Sequence, residues 1–357
     1  MFRNIQALTG AVISGSTALQ FFSRIRWEES DLDIYVEHSS GYIVALFLIA
    51  IGYGFQPINK QKPTIADAYD QVDLTNFYDD GRGFAGVFNF ERRMARIQLI
   101  TATYSPIDII LNFHSTVVIN LITAKHAVCL YPRATFEEGT SLITFRDEGL
   151  ERSFAREKYV QRGWTLVNAD GSLWTNPYDE EDSDGNASDP DSDLGLFSLD
   201  SFEISVPRYV GDRFSWTIDL PPLRTASRDY LQETLAWMST LYRPVSSLLV
   251  TTASRDEIDL FMAHSWTLVH RGLTATASYI IFQDPVLTFA YCCDRQRPLF
   301  DTIHLWILDI RQKTLEIERA RNDKWRPLVS VLKSIIVQMV GPELFQSEKE
   351  MYVILTY

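Results

Sequence analysis

The sequence predicts an α+β protein, and three observations lead to this class. The chain has 357 residues, which favours two domains over one. Hydrophobic residues make up 46% of it and aromatic residues 13%, enough to build buried cores. Segments with helical spacing of apolar residues occur in both halves, and in both halves they are mixed with short β-branched or alternating runs typical of strands.

The first 51 residues predict a short helix at the start of "NIQALTGAVISGS", then a strand, a helix, a second strand and another helix. A brief strand is expected over residues 11–14, followed by a helix in "STALQFF". The segment "DLDIYV" alternates and contains β-branched residues, which predicts a strand. Ser39 or Ser40 is the expected N-cap of a helix that ends near Ile51.

The remainder of the first half is less regular. Residues 58–91 are polar and rich in Asp, Gly and Tyr, so loops or irregular strands are expected there. "ARIQLITA" predicts a strand, and the Ser-Pro start of "SPIDIILNFHST" favours a helix. "VVINLITAKHAVCLYP" predicts a pair of strands or helices, and a further helix is expected over about residues 145–163.

The distribution of charge suggests where the two halves divide. The net charge is −13, and eight of the acidic residues lie without any basic residue in "NPYDEEDSDGNASDPDSDLG". Such a run repels itself and has few apolar groups, which predicts a disordered linker over residues 176–200. The predicted organisation is a first domain over residues 1–140, a connecting helical segment over 141–175, this linker over 176–200 and a second α+β domain over 201–357.

The second half predicts both helices and strands. Helices are expected near 228–241 and 326–340. Strands are expected in "ASYIIFQ", "LTFAYCC" and "HLWILDI". The role of this domain is not indicated by any motif.

Composition also predicts the compartment. The N-terminus lacks the pattern of a secretory signal, and the longest apolar run, 42–51, has about half the length needed to span a bilayer. The three cysteines are an odd number, and two of them, Cys292 and Cys293, are adjacent. We therefore expect buried thiols in a reducing compartment, a cytoplasmic or nuclear location and no membrane segment.

The strongest candidate for chemistry is the pair Asp31 and Asp33. Residues i and i+2 of a strand point to the same face, so the two carboxylates are expected to project together. At an effective dielectric near 20 they would repel by roughly 4 kcal/mol. A divalent cation between them relieves this repulsion, and two carboxylates with phosphate oxygens suit Mg²⁺ or Mn²⁺.

The turn that precedes the helix has the features of a phosphate site. Gly15 has no Cβ, so its backbone can approach a ligand closely. Ser16 lies where the helix presents free N–H groups and its positive dipole end. Arg24, between the turn and the carboxylates, is a third candidate for contact with a phosphate.

The Gly-Ser turn, the helix and the Asp-x-Asp strand together resemble the motif of the DNA polymerase β-like nucleotidyltransferase superfamily. The matching residues are Gly15, Ser16, Asp31 and Asp33. The stretch also resembles uncharacterised fungal proteins that carry this motif. The resemblance implies a mixed sheet with flanking helices, binding of a nucleoside triphosphate such as ATP with Mg²⁺, and nucleotidyl transfer to an acceptor hydroxyl.

Active members of this superfamily usually have a third carboxylate on a neighbouring strand. The equivalent position in "ARIQLITA" is Gln98, which is neutral and is not a useful base. Asp108 is a reserve candidate: in a strand it would point at the pair, whereas in a helix it would be an ordinary acid of the first turn.

Three functions remain open from the sequence. The chain is a Mg²⁺-dependent nucleotidyltransferase with an unknown acceptor, a nucleotide-binding module with little or no turnover, or an interaction protein without either property. The acidic charge disfavours a long nucleic acid as the acceptor.

Overall fold

The computed structural model describes residues 1–58, 60–72, 84–102, 105–144, 150–178, 196–223, 265–271 and 274–280. These residues form an α+β structure around a mixed eight-stranded sheet, in agreement with the predicted class. The predicted strands "LTFAYCC" and "HLWILDI", both predicted helices of the second half and most of the acidic segment lie outside the described residues.

The N-terminal segment alternates between helices and strands, as the sequence predicts for all of its elements except the last strand. Its elements are α1 (Phe2–Thr9), β1 (Val12–Ser14), α2 (Gly15–Ser23), β2 (Leu32–Glu37), α3 (His38–Ala50) and β3 (Gly54–Gln56). The predicted N-cap of α3 is wrong. Glu37 is the N-cap and both serines lie inside the helix, because β2 runs directly into α3 without a loop.

The next segment contains more regular structure than the sequence indicated. Its elements are α4 (Ile65–Asp70), β4 (Phe84–Arg92), β5 (Ala95–Ala102), α5 (Pro106–Leu111), β6 (Asn120–Ile122) and β7 (His126–Cys129). The prediction of loops or irregular strands over residues 58–91 is therefore wrong for α4, whereas β4 is a strand whose pairing with β5 shifts register between Phe84 and Gly86. The Thr64 hydroxyl accepts from the Asp67 amide to cap α4, and Phe88 and Phe90 bury one side of β4.

The later elements build two small sheets and add one strand to the large one. They are β8 (Thr140–Leu142), α6 (Leu150–Gln161), β9 (Thr165–Val167), β10 (Pro207–Tyr209), β11 (Trp216–Asp219), β12 (Ser265–Arg271) and β13 (Thr274–Ile280). β8 and β9 pair in parallel, and β10, β12 and β13 form an antiparallel sheet.

The eight-stranded sheet has the order β11-β7-β6-β1-β2-β5-β4-β3. β2 and β5 are parallel, and the other neighbours are antiparallel. β11 comes from the predicted second domain but pairs with β7 of the first, and Trp266 of β12 packs in the same core cluster as Tyr131. The proposed domain bounds stay a prediction.

The strands at the centre of the sheet separate two core clusters. Ile34 and Val36 of β2 point to the side covered by α1 and α3, whereas Tyr35 points to the side covered by α5. Since side chains alternate along a strand, Asp33 lies on the Tyr35 side. On this face of β2 the carboxylate of Asp33 therefore comes first, and the buried Tyr35 follows it towards the middle of the strand.

None of the described helices combines the length and the apolar character required to cross a bilayer. The apolar run of residues 42–51 forms most of α3 and its C-cap, Ile51, and most of its side chains are buried. Cys129 is a buried free thiol, as predicted, and the other two cysteines lie outside the described residues.

Candidate functional site

The Gly-Ser turn and the second aspartate of the motif are in direct proximity. β1 passes into α2 without a loop, and Gly15 has a left-handed φ of 66°. A Cβ atom added to Gly15 would lie 2.9 Å from Oδ2 of Asp33. The structure thus brings together the two ends of the motif, which are separated by 17 intervening residues in the sequence.

The strand register places a row of polar residues across one face of the sheet. Asp33 lies opposite Ser14 of β1 on one side and opposite Gln98 of β5 on the other. Asn89 of β4 lies opposite Gln98, and Gln56 of β3 lies opposite Asn89. The predicted equivalence of Gln98 to the third position of the motif is consistent with this register, since Gln98 is the direct neighbour of Asp33.

The environment of Asp33 disfavours a negative charge. Burial, followed by the nearby carboxylate of Asp31, raises the pKa of Asp33 to about 7. The positive charge of Lys158 acts in the opposite direction. A desolvated carboxylate with a second one beside it is an arrangement that a bound cation would stabilise.

Asp31 lies in a more polar environment, immediately before β2. Its carboxylate forms an ion pair with Arg96 of β5, with 3.2 Å between Oδ1 and Nε. Its carbonyl oxygen accepts a hydrogen bond of 3.0 Å from the Thr17 hydroxyl of α2. The backbone of Asp31 is therefore fixed to α2, while its side chain is fixed to β5.

The donor set fits Mg²⁺ or Mn²⁺ in part. Asp31 and Asp33 supply two carboxylates, and Gln98, opposite Asp33 on the adjacent strand, has a neutral amide oxygen. Within the described ranges, no group of three or more His, Cys, Asp or Glu side chains is arranged to hold a metal ion. A cation here would need further oxygen ligands from water or from a phosphate-bearing ligand.

The remaining predicted residues lie at different distances from this centre. Ser16 is buried in the first turn of α2, beside Gly15. Arg24 is the C-cap of α2, roughly 13 Å further along the helix axis, and its guanidinium lies 5.0 Å from the centre of the Phe21 ring. The structure therefore does not bring Arg24 to the Gly-Ser turn.

Asp108 lies in the first turn of α5, a helix, so the condition for pointing at the pair as a strand residue is not met. Its carboxylate is buried and accepts a hydrogen bond of 3.0 Å from Asn112 Nδ2. Its role as a third ligand stays a prediction.

Two basic residues of α6 and the turn after it were not predicted as part of the site. Lys158 interacts electrostatically with both Asp31 and Asp33, and burial lowers its pKa. Arg162 forms an ion pair with Glu29, two residues before Asp31, with an Nη2–Oε1 distance of 2.5 Å. The sequence spacing places Lys158 and Arg162 on one helical face but does not indicate which surface that face contacts.

A comparison of the chain with family models, with curated proteins and with solved structures finds no match in any of the three. The resemblance to the DNA polymerase β-like nucleotidyltransferase superfamily therefore stays a prediction based on Gly15, Ser16, Asp31 and Asp33. What the structure establishes is an α+β fold that places these four residues at one end of β1 and β2.

Proposed function

We propose that the chain binds a nucleoside triphosphate together with Mg²⁺ or Mn²⁺, and that it transfers the nucleotidyl group slowly or not at all. The observation that supports this proposal best is the contact between the Gly15 turn and the Asp33 carboxylate. Anion-binding groups and cation-binding groups are thereby adjacent, which is the arrangement that a metal–triphosphate complex requires.

Each part of the ligand has a matching group on the chain. The free N–H groups at the start of α2, next to Gly15 and Ser16, would bind phosphate oxygens. Asp31 and Asp33 would hold the cation, which when bound would neutralise charge on the phosphates. Lys158 would add a positive charge on the same side of the carboxylates.

The position of Gln98 accounts for the low turnover in this proposal. Gln98 lies directly opposite Asp33, where a third carboxylate would be needed to accept the proton of an attacking hydroxyl. An amide side chain does not accept that proton, and loss of a positioned base typically reduces a rate by about 10²–10⁴-fold.

Efficient nucleotidyl transfer is the second candidate function, and the closeness of the Asp33 carboxylate to the Gly15 turn also favours it. A cation held by Asp31 and Asp33 would lower the pKa of an attacking hydroxyl and would partly replace the missing base. The acceptor would be a small molecule, an RNA or a protein.

The two functions are distinguished by measuring binding and turnover on the same samples. Each of the four common ribonucleoside triphosphates is added with Mg²⁺, and thermal unfolding, calorimetric binding and pyrophosphate release are recorded. We expect at least one nucleotide to raise the melting temperature, in line with about 2.7 kcal/mol of stabilisation at 100 times its Kd. We expect little pyrophosphate release, and no stabilisation of the double variant Asp31→Asn, Asp33→Asn.

Rapid Mg²⁺-dependent release of pyrophosphate would favour the second candidate instead. If no nucleotide shifts the melting temperature of the unmodified protein, both functions are wrong. The chain would then be an interaction protein that binds no nucleotide.

A further inference from the structure

The segment between α2 and β2, residues 24–31, ends at Asp31 and contains a short turn. The Ser30 amide donates a hydrogen bond of 3.2 Å to the carbonyl oxygen of Trp27, which closes a turn over residues 27–30. The Trp27 amide donates to Oε1 of Gln20 at 2.7 Å, so the turn is attached to α2 at its beginning. We call residues 27–30 the 27–30 turn.

Arg162, in the turn that follows α6, contacts three of the four residues in the 27–30 turn. Its guanidinium stacks on Trp27 at 4.0 Å from the ring centre, and its Nη2 donates to Glu29 Oε1 at 2.5 Å and to Ser30 Oγ at 3.4 Å. The Arg162 side chain is only 7% exposed, whereas that of Glu29 is 64% exposed. The guanidinium is held in place by its burial and by the Trp27 ring, and from there it donates to the more exposed Glu29.

The contact is reinforced by aromatic packing around it. Trp27 packs edge-on against Trp164, with 6.0 Å between the ring centres, and Trp164 also contacts Tyr159 of α6. The Trp164 indole donates to the carbonyl oxygen of Thr135 at 2.9 Å. The α6 end is thus anchored in the core and offers a fixed surface to the 27–30 turn.

We propose that Arg162 is a positioning residue for the cation site, acting through Glu29 and the 27–30 turn to hold the Asp31 carboxylate beside Asp33. This inference rests on the proposed function. Asp31 is outside β2, so the sheet ladder does not fix it. Besides its ion pair with Arg96, its approach to Asp33 depends on the residues before it. The hydrogen bond from Thr17 fixes the carbonyl of Asp31, and the 27–30 turn sets the direction from which the chain arrives.

The test uses the full chain and Mn²⁺ alone as the probe. The main variant is Glu29→Gln, because Glu29 is largely exposed and its loss leaves the core intact; Arg162→Lys is the second variant, keeping the charge without the planar fork. The control is Asp219→Asn on β11, which removes an exposed carboxylate whose Oδ1 lies 3.5 Å from His126 Nε2. Mn²⁺ affinity is measured by calorimetry, and thermal unfolding is measured in EDTA.

We expect Glu29→Gln to weaken Mn²⁺ binding about 3- to 10-fold and Arg162→Lys by at least as much. The melting temperature of Glu29→Gln in EDTA should stay unchanged, and amide hydrogen exchange should accelerate at residues 27–31 only. Asp219→Asn should leave Mn²⁺ affinity unaltered. A residue with a purely structural role would lower the melting temperature without this selective loss of affinity.

Two outcomes separate this inference from the proposed function. If the double variant Asp31→Asn, Asp33→Asn loses Mn²⁺ binding but Glu29→Gln and Arg162→Lys bind it as the unmodified protein does, the positioning role of Arg162 is wrong. If the double aspartate variant binds Mn²⁺ normally, the proposed function is wrong and this inference with it.

Discussion

Gly15 lies so close to Asp33 that a Cβ atom at residue 15 would be 2.9 Å from the carboxylate oxygen Oδ2. This relationship links the backbone at the start of α2 to the acid at the start of β2. Glycine at residue 15 thus has two independent explanations. A Cβ atom would have no room there, and the φ of 66° lies in the left-handed region that favours glycine.

The replacement Gly15→Ala should therefore cost more than backbone strain. A left-handed alanine costs about 1–2 kcal/mol, and the displaced Asp33 carboxylate should in addition weaken Mn²⁺ and nucleotide binding. The matched control is Gly139→Ala, since Gly139 has the same φ of 66° but has no atom within 4 Å of an added Cβ. Equal losses of stability and unaltered ligand binding in the two variants would contradict the contact.

The variant Asp33→Asn should change how stability depends on pH. Because the folded-state pKa of about 7 lies above the ordinary value of 3.8, the folded chain retains a proton that the unfolded chain releases. The free energy of unfolding of the unmodified protein should thus fall as pH rises from about 4 to about 7. Asp33→Asn should remove this fall and gain roughly 1–3 kcal/mol at pH 8. Denaturant unfolding at pH 5 and pH 8 provides the measurement, and an equal pH dependence in both proteins would refute the shifted pKa.

Restoring a carboxylate at residue 98 should increase turnover. In Gln98→Asp the new acid would lie opposite Asp33, which should destabilise the protein in EDTA and tighten Mg²⁺ binding. Pyrophosphate release should rise by about 10-fold or more if a base is what the site lacks. The control Asn89→Asp adds the same charge one strand further away, where we expect no gain in turnover. Equal rates in the two variants would exclude a base-supplying role for residue 98.

Removal of the Lys158 charge should change the pKa of Asp33. Lys158 lowers the pKa of Asp33, so Lys158→Met should raise that pKa above its value of about 7. The carboxyl carbon of Asp33, followed by NMR across the pH range, reports the change directly. Lys125→Met is a suitable control, since Lys125 lies in the turn between β6 and β7, at the opposite end of β1 from Ser14. An unchanged titration of Asp33 in Lys158→Met would show that Lys158 does not face the carboxylates.

The sequence alone determined the order of β1, α2, β2 and α3, because each element is defined locally by its apolar spacing and by the Gly-Ser and Asp-x-Asp segments at its borders. It also identified β5, whose residues 95–102 match the predicted strand. The same local signals were weak over residues 58–91, where α4 and β4 are stabilised by a side-chain cap and by burial of phenylalanines against distant elements.

Only the tertiary structure decided which residues meet. Strand pairing places Gln98 opposite Asp33, and α6 brings Lys158 and Arg162 to the same end of the sheet from about 130 residues away. It also placed Arg24 at the far end of α2, although the sequence puts it between the two halves of the motif. Spacing along a chain defines the face of a helix or strand, but the packing of the whole core decides which faces come into contact.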